Sequence, residues 1–108
     1  MGDYQIILSR DLPQYSENDL VCVTGIISDK WGKKNNFGIS LKDLTGLVNI
    51  SFWNNQRHYS KDMFIKGKRV RIYASVLLDH KGQKCLGNVD SVEFLEEINQ
   101  LNKELDIL

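Results

Sequence analysis

Proline occurs once in this 108-residue chain, at Pro13, and glycine only eight times. That excludes a collagen-like or linker-like polypeptide. Cysteine occurs twice, at Cys22 and Cys85, in no CxxC pair, and the two histidines do not cluster with them. A zinc site is therefore not expected, and both cysteines read as reduced thiols carried on strands. No apolar run approaches the ~20 residues that a membrane-spanning helix needs. The opening Met1-Gly2-Asp3-Tyr4-Gln5 lacks the basic-then-apolar order of a secretory signal, and Ile6 stands where a myristoylation motif has Ser or Thr. The chain is therefore expected not to be secreted. Neither charge sign is in excess, with 14 Lys+Arg against 14 Asp+Glu.

What is present is an uneven distribution of that charge. Residues 1–20 hold one basic and four acidic residues, a balance of −3. Residues 21–92 hold twelve Lys and Arg against five Asp, a balance of +7, and residues 93–108 hold Lys103 against five acids, a balance of −4. A basic body between acidic ends keeps a polyanionic partner in play where the sum of zero hides it.

Periodicity divides the chain into a leader (1–19), a β-rich body (20–92) and a tail (93–108). The run 20–28, LVCVTGIIS, is β-branched and predicts a first strand. Lys30-Trp31-Gly32-Lys33-Lys34-Asn35-Asn36 reads as a loop. Alternation then predicts strands over 37–42 and 47–53, joined by the tight turn Asp43-Leu44-Thr45-Gly46. Tyr59, Met63 and Phe64 recur at helical spacing before Gly67, predicting a short helix within 56–67. Two further strands, 68–78 and 84–92, flank a hairpin at 79–83. Phe94, Ile98, Leu101, Leu105 and Leu108 make one apolar stripe at heptad spacing and predict a C-terminal helix. A helix of that length is marginal alone, so it must pack on the body or on a partner helix. Five short strands avoid exposed edges if the sheet closes. The expected fold is all-β: a five-stranded Greek-key barrel, the OB fold, with a helix between strands three and four and a C-terminal helix. An open α+β sheet is the alternative.

Signs of catalysis are missing. The chain has no nucleophile elbow and no HExxH, and Gly67-Lys68-Arg69 lacks the flanking residues of a phosphate-binding loop. His58 and His80 stand isolated among polar neighbours. Neither catalysis nor a cofactor is expected. Strand parity is more informative. If Val48, Ile50 and Phe52 point inward, then Asn49, Ser51 and Trp53 point outward. An outward Trp among polar neighbours suits base stacking, because every nucleobase has a π-face; otherwise it lies under a helix or a chain end. On the preceding strand the outward set is Gly38, Ser40 and Lys42. Gly38 leaves room for close approach of a ligand or marks barrel curvature, Ser40 can bond a base edge, and Lys42 can neutralise a phosphate. The loop residues Lys30, Trp31, Lys33 and Lys34 add a second indole with basic neighbours. Arg57, Lys81 and Lys84 extend the candidate basic groove.

These segments resemble a single OB domain of the replication protein A family, of the archaeal, small-subunit-like type. Leu12-Pro13 with Val21-Cys22-Val23-Thr24-Gly25 matches the family's opening pattern, and Asp43-Leu44-Thr45-Gly46 through Trp53-Asn54 matches its turn and third strand. Gly67-Lys68-Arg69-Val70-Arg71-Ile72 matches the start of its fourth strand. Other OB families, notably the anticodon-binding domains of aminoacyl-tRNA synthetases, share these short motifs. The resemblance implies largely sequence-independent binding of single-stranded DNA in replication, repair or recombination, in the cytoplasm (nucleoid-associated) or the nucleus. It puts the family's strand-three stacking aromatic on Trp53. The family's second aromatic, in the loop between the last two strands, has no counterpart in 80–86; either Trp31 supplies that platform or the domain binds weakly. The resemblance also implies assembly through a C-terminal helix, here the stripe from Phe94 to Leu108, with a second copy or with other replication and repair subunits. Two further readings stay open: a structural subunit that docks proteins, and an RNA- or tRNA-binding module.

Overall fold

The computed structural model describes residues 3–53 and 59–95. Six strands follow one another: β1 (Gln5–Ile6), β2 (Leu20–Gly32), β3 (Phe37–Asp43), β4 (Gly46–Ser51), β5 (Arg69–Leu78) and β6 (Lys84–Leu95). Five of them close a ring in the order β2-β3-β4-β6-β5, with β5 returning to β2. The closed barrel removes the edges that five short strands would otherwise expose. It confirms the all-β expectation over the open sheet.

Closure depends on β2 serving two neighbours. Its first half pairs antiparallel with β5, from Leu20 opposite Ser75 to Ile26 opposite Arg69. Its second half pairs with β3, from Ile26 opposite Lys42 to Gly32 opposite Phe37. The handover falls next to Gly25, where a Cβ would lie 2.7 Å from the carbonyl oxygen of Lys42. Only glycine admits so close a backbone approach. A bulge at Ser28 then bends the strand further. The ring is sealed by a short parallel contact of β4 with β6, Ile50 opposite Leu86.

The interior follows the sequence alternation. Val21, Val23 and Ile27 on β2 meet Ile39 and Leu41 on β3, Val48 and Ile50 on β4, and Val70, Ile72, Ala74 and Val76 on β5. Each fully buried branched side chain contributes about 1.5–3 kcal/mol. One end of the barrel is filled by rings. Phe37 and Phe52 stack with centroids 4.6 Å apart, and Phe64 packs 4.8 Å from Phe52 and 5.4 Å from Phe94.

Those rings stand where a helix was expected. Among the described residues between β4 and β5, only Lys61–Met63 form a turn of 3-10 helix, and Phe64 is extended. The helical spacing misleads because the three side chains do not share a face: Phe64 is fully buried, Tyr59 packs against the core, and Met63 is exposed. The segment's polar groups are engaged elsewhere. The Lys61 N–H donates to the Lys34 carbonyl (2.9 Å), and the Lys61 ammonium donates to the Gly32 carbonyl (2.7 Å). Residues 54–58, including Arg57, lie outside the described residues.

The predicted tail helix is corrected at its start. Phe94 is a β6 residue opposite Val70, and Leu95 lies opposite Arg69, so the last strand runs three residues past Val92. Its ring belongs to the barrel end rather than to a helical stripe. Ile98, Leu101, Leu105 and Leu108 lie outside the described residues.

The leader is stitched to the barrel. β1 runs parallel to β2, with Gln5 opposite Val21 and Ile6 opposite Cys22. A 3-10 turn over Ser9–Gln14 follows. The N–H of Asn18 donates to the Val76 carbonyl and that of Val76 to the Asp19 carbonyl.

Candidate nucleic-acid interface

The outward face of β2, β3 and β4 is set by register, because residues opposite one another on neighbouring strands share a face. Three rows cross it. The first is Trp31, Gly38 and Ser51; the second is Asp29, Ser40 and Asn49; the third is Ile26, Lys42 and Leu47. Trp53 follows Ser51 two residues on, just beyond the end of β4, beside the first row. Its parity is as predicted: Phe52 is buried, whereas Trp53 is 65% exposed. The Trp53 N–H donates to Ser51 Oγ at 3.3 Å, which fixes the backbone beneath the indole.

Trp31 is not a loop residue. β2 continues to Gly32, which leaves only 33–36 as the turn. The indole of Trp31 lies over Gly38, where a Cβ would fall 2.5 Å from indole Cε2 and Cζ2. The space that Gly38 was expected to offer a ligand is therefore filled by Trp31. The ring remains 44% exposed, with one side on the sheet and the other open. Two indoles thus share one end of one face.

Ser40 departs from its expected role. It is 8% exposed, and its hydroxyl donates to Asn49 Oδ1 at 2.6 Å rather than reaching outward. Asn49 is exposed. Lys42 is exposed on the same face as Trp31, but two rows away, about 13 Å along the strand. It lines a groove of about 390 Å³ with Thr24, Ile26, Leu44 and Arg69.

The remaining lysines divide. Lys33 and Lys34 are exposed in the turn next to Trp31. Lys30 alternates with Trp31 and so faces the other way, where its ammonium donates to the Lys61 carbonyl (3.2 Å). Lys84 is also withdrawn: its ammonium donates to the carbonyls of Pro13 and Tyr15 and ties down the leader. Lys81 is exposed in the β5–β6 hairpin, whose strands follow β4 in the ring. Asp79 holds that hairpin by accepting the N–H groups of Gln83 (2.9 Å) and Lys81 (2.8 Å), and these bonds pull its carboxyl below the ordinary aspartate range.

Two features escape the sequence. Asp29 joins the central row only because the bulge at Ser28 resets the parity, and no residue pattern announces a bulge. The N–H of Lys30 and, after it, the ammonium of Lys66 (3.4 Å) keep Asp29 below the ordinary aspartate range, so the face carries one anion. The second is the knot at Asp43. Its Oδ1 accepts from Ser9 Oγ (2.7 Å), Thr45 N–H (2.8 Å), Thr45 Oγ1 (2.6 Å) and Gly46 N–H (3.1 Å), and its Oδ2 accepts from Ser9 N–H (2.8 Å). Burial alone would raise this carboxyl, but the bonds from Thr45 and Ser9 outweigh it and hold it far below the ordinary range. Among the described residues, no group of three His, Cys, Asp or Glu is placed to hold a metal ion.

No protein-family model and no curated protein matches the sequence. Solved structures are similar in fold. Asparaginyl-tRNA synthetase from Entamoeba histolytica superposes with a TM-score of 0.71 at 11% identity, over 94% of this chain and 26% of that one. Schizosaccharomyces pombe Pot1pC bound to single-stranded DNA gives 0.63 at 12% identity, over 98% and 99%. A replication protein A heterotrimer bound to single-stranded DNA gives 0.56 at 10% identity, over 82% and 73%. At such identities the likeness shows the fold alone, and with the closed ring of β2, β3, β4, β6 and β5 it makes this chain an OB-fold barrel.

Proposed function

We propose that this domain binds single-stranded nucleic acid, and single-stranded DNA first, without catalysing a reaction on it. The observation that carries the proposal is the pair of exposed indoles, Trp31 and Trp53, at one end of the β2–β3–β4 face. A large ring left in water without packing against the core is a standing cost unless a ligand covers it. Base stacking recovers that area whatever the base. Lys33 and Lys34 lie beside Trp31 in the turn, positioned to meet the backbone of a strand whose bases stack. Two of the proteins of like fold are complexes with single-stranded DNA, which supports the choice of ligand. One of these is a heterotrimer, which supports a role as a subunit among replication or repair partners.

Titration of the intrinsic tryptophan emission with oligo-dT at low and moderate salt tests the proposal. Saturable quenching that weakens with salt is expected from stacking plus counterion release. Trp53→Ala should weaken binding by about 1–3 kcal/mol, the range for one base–aromatic stack. Flat emission at both salt concentrations, or a folded Trp53→Ala protein with unchanged affinity, refutes it. Oligo-rU in parallel separates an RNA ligand from a DNA one.

A further inference from the structure

We infer that Asn49 reads the base: it makes the face prefer bases that present carbonyl oxygens, thymine and uracil above all with two each, over adenine, which has none. This inference rests on the single-strand-binding function proposed above.

The argument starts from a hydroxyl. Ser40 has one proton to donate, and it lies beneath the face, 8% exposed. Its oxygen lies 2.6 Å from Asn49 Oδ1. That separation fits O–H···O, whereas an N–H···O contact centres on about 2.9–3.0 Å. The Asn49 amide is therefore oriented. Its oxygen points down at a buried hydroxyl, and its NH₂ group, on the other side of the same planar amide, points out. Free amides of Asn recognise adenine by using both ends at once, accepting from the exocyclic amine while donating to a ring nitrogen. With Oδ1 turned to Ser40, that two-ended grip is lost and two donors remain. Donors reward acceptor edges, and the carbonyls of thymine, uracil, guanine and cytosine supply them, whereas adenine offers only ring nitrogens, two of them beside its own donor amine.

Position makes the contact reachable. Ser40 and Asn49 form the central row, one row, or about 7 Å, from the row that carries Trp31 and borders Trp53. A base stacked on an indole at the end of the face has its edge directed along the sheet toward that row. No other polar side chain of the central row offers a free donor: Asp29 is an acceptor, already shared between the Lys30 N–H and Lys66.

The test is a competition between oligo-dT and oligo-dA of equal length at fixed salt, read as the ratio of their affinities. The ratio cancels effects on phosphate binding. Ser40→Ala frees the Asn49 amide to rotate, and the dT/dA ratio should fall about three- to tenfold, the worth of one hydrogen bond, while affinity for oligo-dT changes little. Asn49→Asp replaces both donors by acceptors and should lower the ratio at least as far. Trp53→Ala should weaken both oligomers and leave the ratio in place. A ratio unmoved by Ser40→Ala and Asn49→Asp, in folded proteins that still bind, overturns the base-reading role and leaves the binding function standing. A wild-type protein that binds neither oligomer removes the binding function, and this inference with it.

Discussion

Replacing Asp43 by alanine should cost about 3 kcal/mol of folding stability. The carboxylate accepts five hydrogen bonds, three from the β3–β4 turn and two from Ser9 in the leader. A hydrogen bond to a charged group contributes about 1.5–3 kcal/mol when its donor has no alternative. Here four donors share one oxygen, and several of the donors are within reach of water once the carboxylate is gone. A value well below the sum is expected, yet large against the roughly 5–15 kcal/mol of a small domain. At about 4–8 °C per kcal/mol for a domain of this size, the midpoint of thermal unfolding should drop by roughly 12–24 °C. The pH dependence gives a second readout. Folding holds this carboxyl below its ordinary range. Its contribution is therefore complete above the pKa of the unfolded chain and is lost as the pH falls toward the folded value. The wild-type protein should lose stability on acidification from about pH 5 downward, and Asp43→Ala should lose less, so the two curves approach each other at low pH. Melting followed by circular dichroism from pH 7 to pH 2.5 measures both effects. Amide exchange at Ser9 and Arg10 should also accelerate, because Asp43 and Thr45 are their anchors. An Asp43→Ala protein that melts within two or three degrees of wild type (about half a kcal/mol) at neutral pH, or that keeps the full acid-induced loss, would refute the knot as a stabilising device.

Gly38→Ala should leave the barrel folded, since a strand accepts alanine, but should push the half-exposed Trp31 indole off the sheet. The tryptophan emission of the free protein should change, and affinity for oligo-dT should fall several-fold; unchanged emission and affinity would mean that Trp31 does not rest there. Lys33→Ala with Lys34→Ala should lower the slope of log affinity against log salt by about one to two units, as two lost phosphate contacts require, and an unchanged slope would make the turn merely solvated.

The barrel was legible because its core obeys a period of two. On β5, Val70, Ile72, Ala74 and Val76 are buried and alternate with half-buried or exposed neighbours, and just past the end of β4 the same rule assigns Phe52 and Trp53 to opposite sides. What failed is what alternation does not encode. Tyr59, Met63 and Phe64 imitate a helix by spacing, but Lys61 between them bonds to Lys34 through its backbone N–H and to Gly32 through its ammonium, a tertiary choice invisible to local pattern. Phe94 fits a heptad stripe and a strand equally well, and pairing with Val70 decides for the strand. The site suffered most at its lysines. Lys30 and Lys84 look like groove residues in a list of charges, yet each donates to backbone carbonyls of its own chain. A long flexible ammonium is as good a strut as it is a phosphate ligand, and only the folded surroundings decide between the two.

This division bears on what a sequence signature in such a barrel reports. The segment Asp43-Leu44-Thr45-Gly46, in the second matching stretch, is a knot that fastens a turn to the leader. Gly25, in the opening pattern, is where β2 passes from one neighbour to the other. Val70 and Ile72, in the third matching segment, are buried core. Each would be retained by selection for folding alone, whatever the barrel binds. Trp53, at the end of the second matching segment, stands clear of that explanation: it is exposed and does not pack against the core, so removing it should cost the fold little. The likeness in sequence therefore argues for the barrel, and the argument for a ligand rests on the few side chains that the barrel does not need: Trp53, the outer side of Trp31, and the donors of Asn49. A protein with this fold and none of those groups would keep every other part of the signature and lose the reason to expect a nucleic acid on this face.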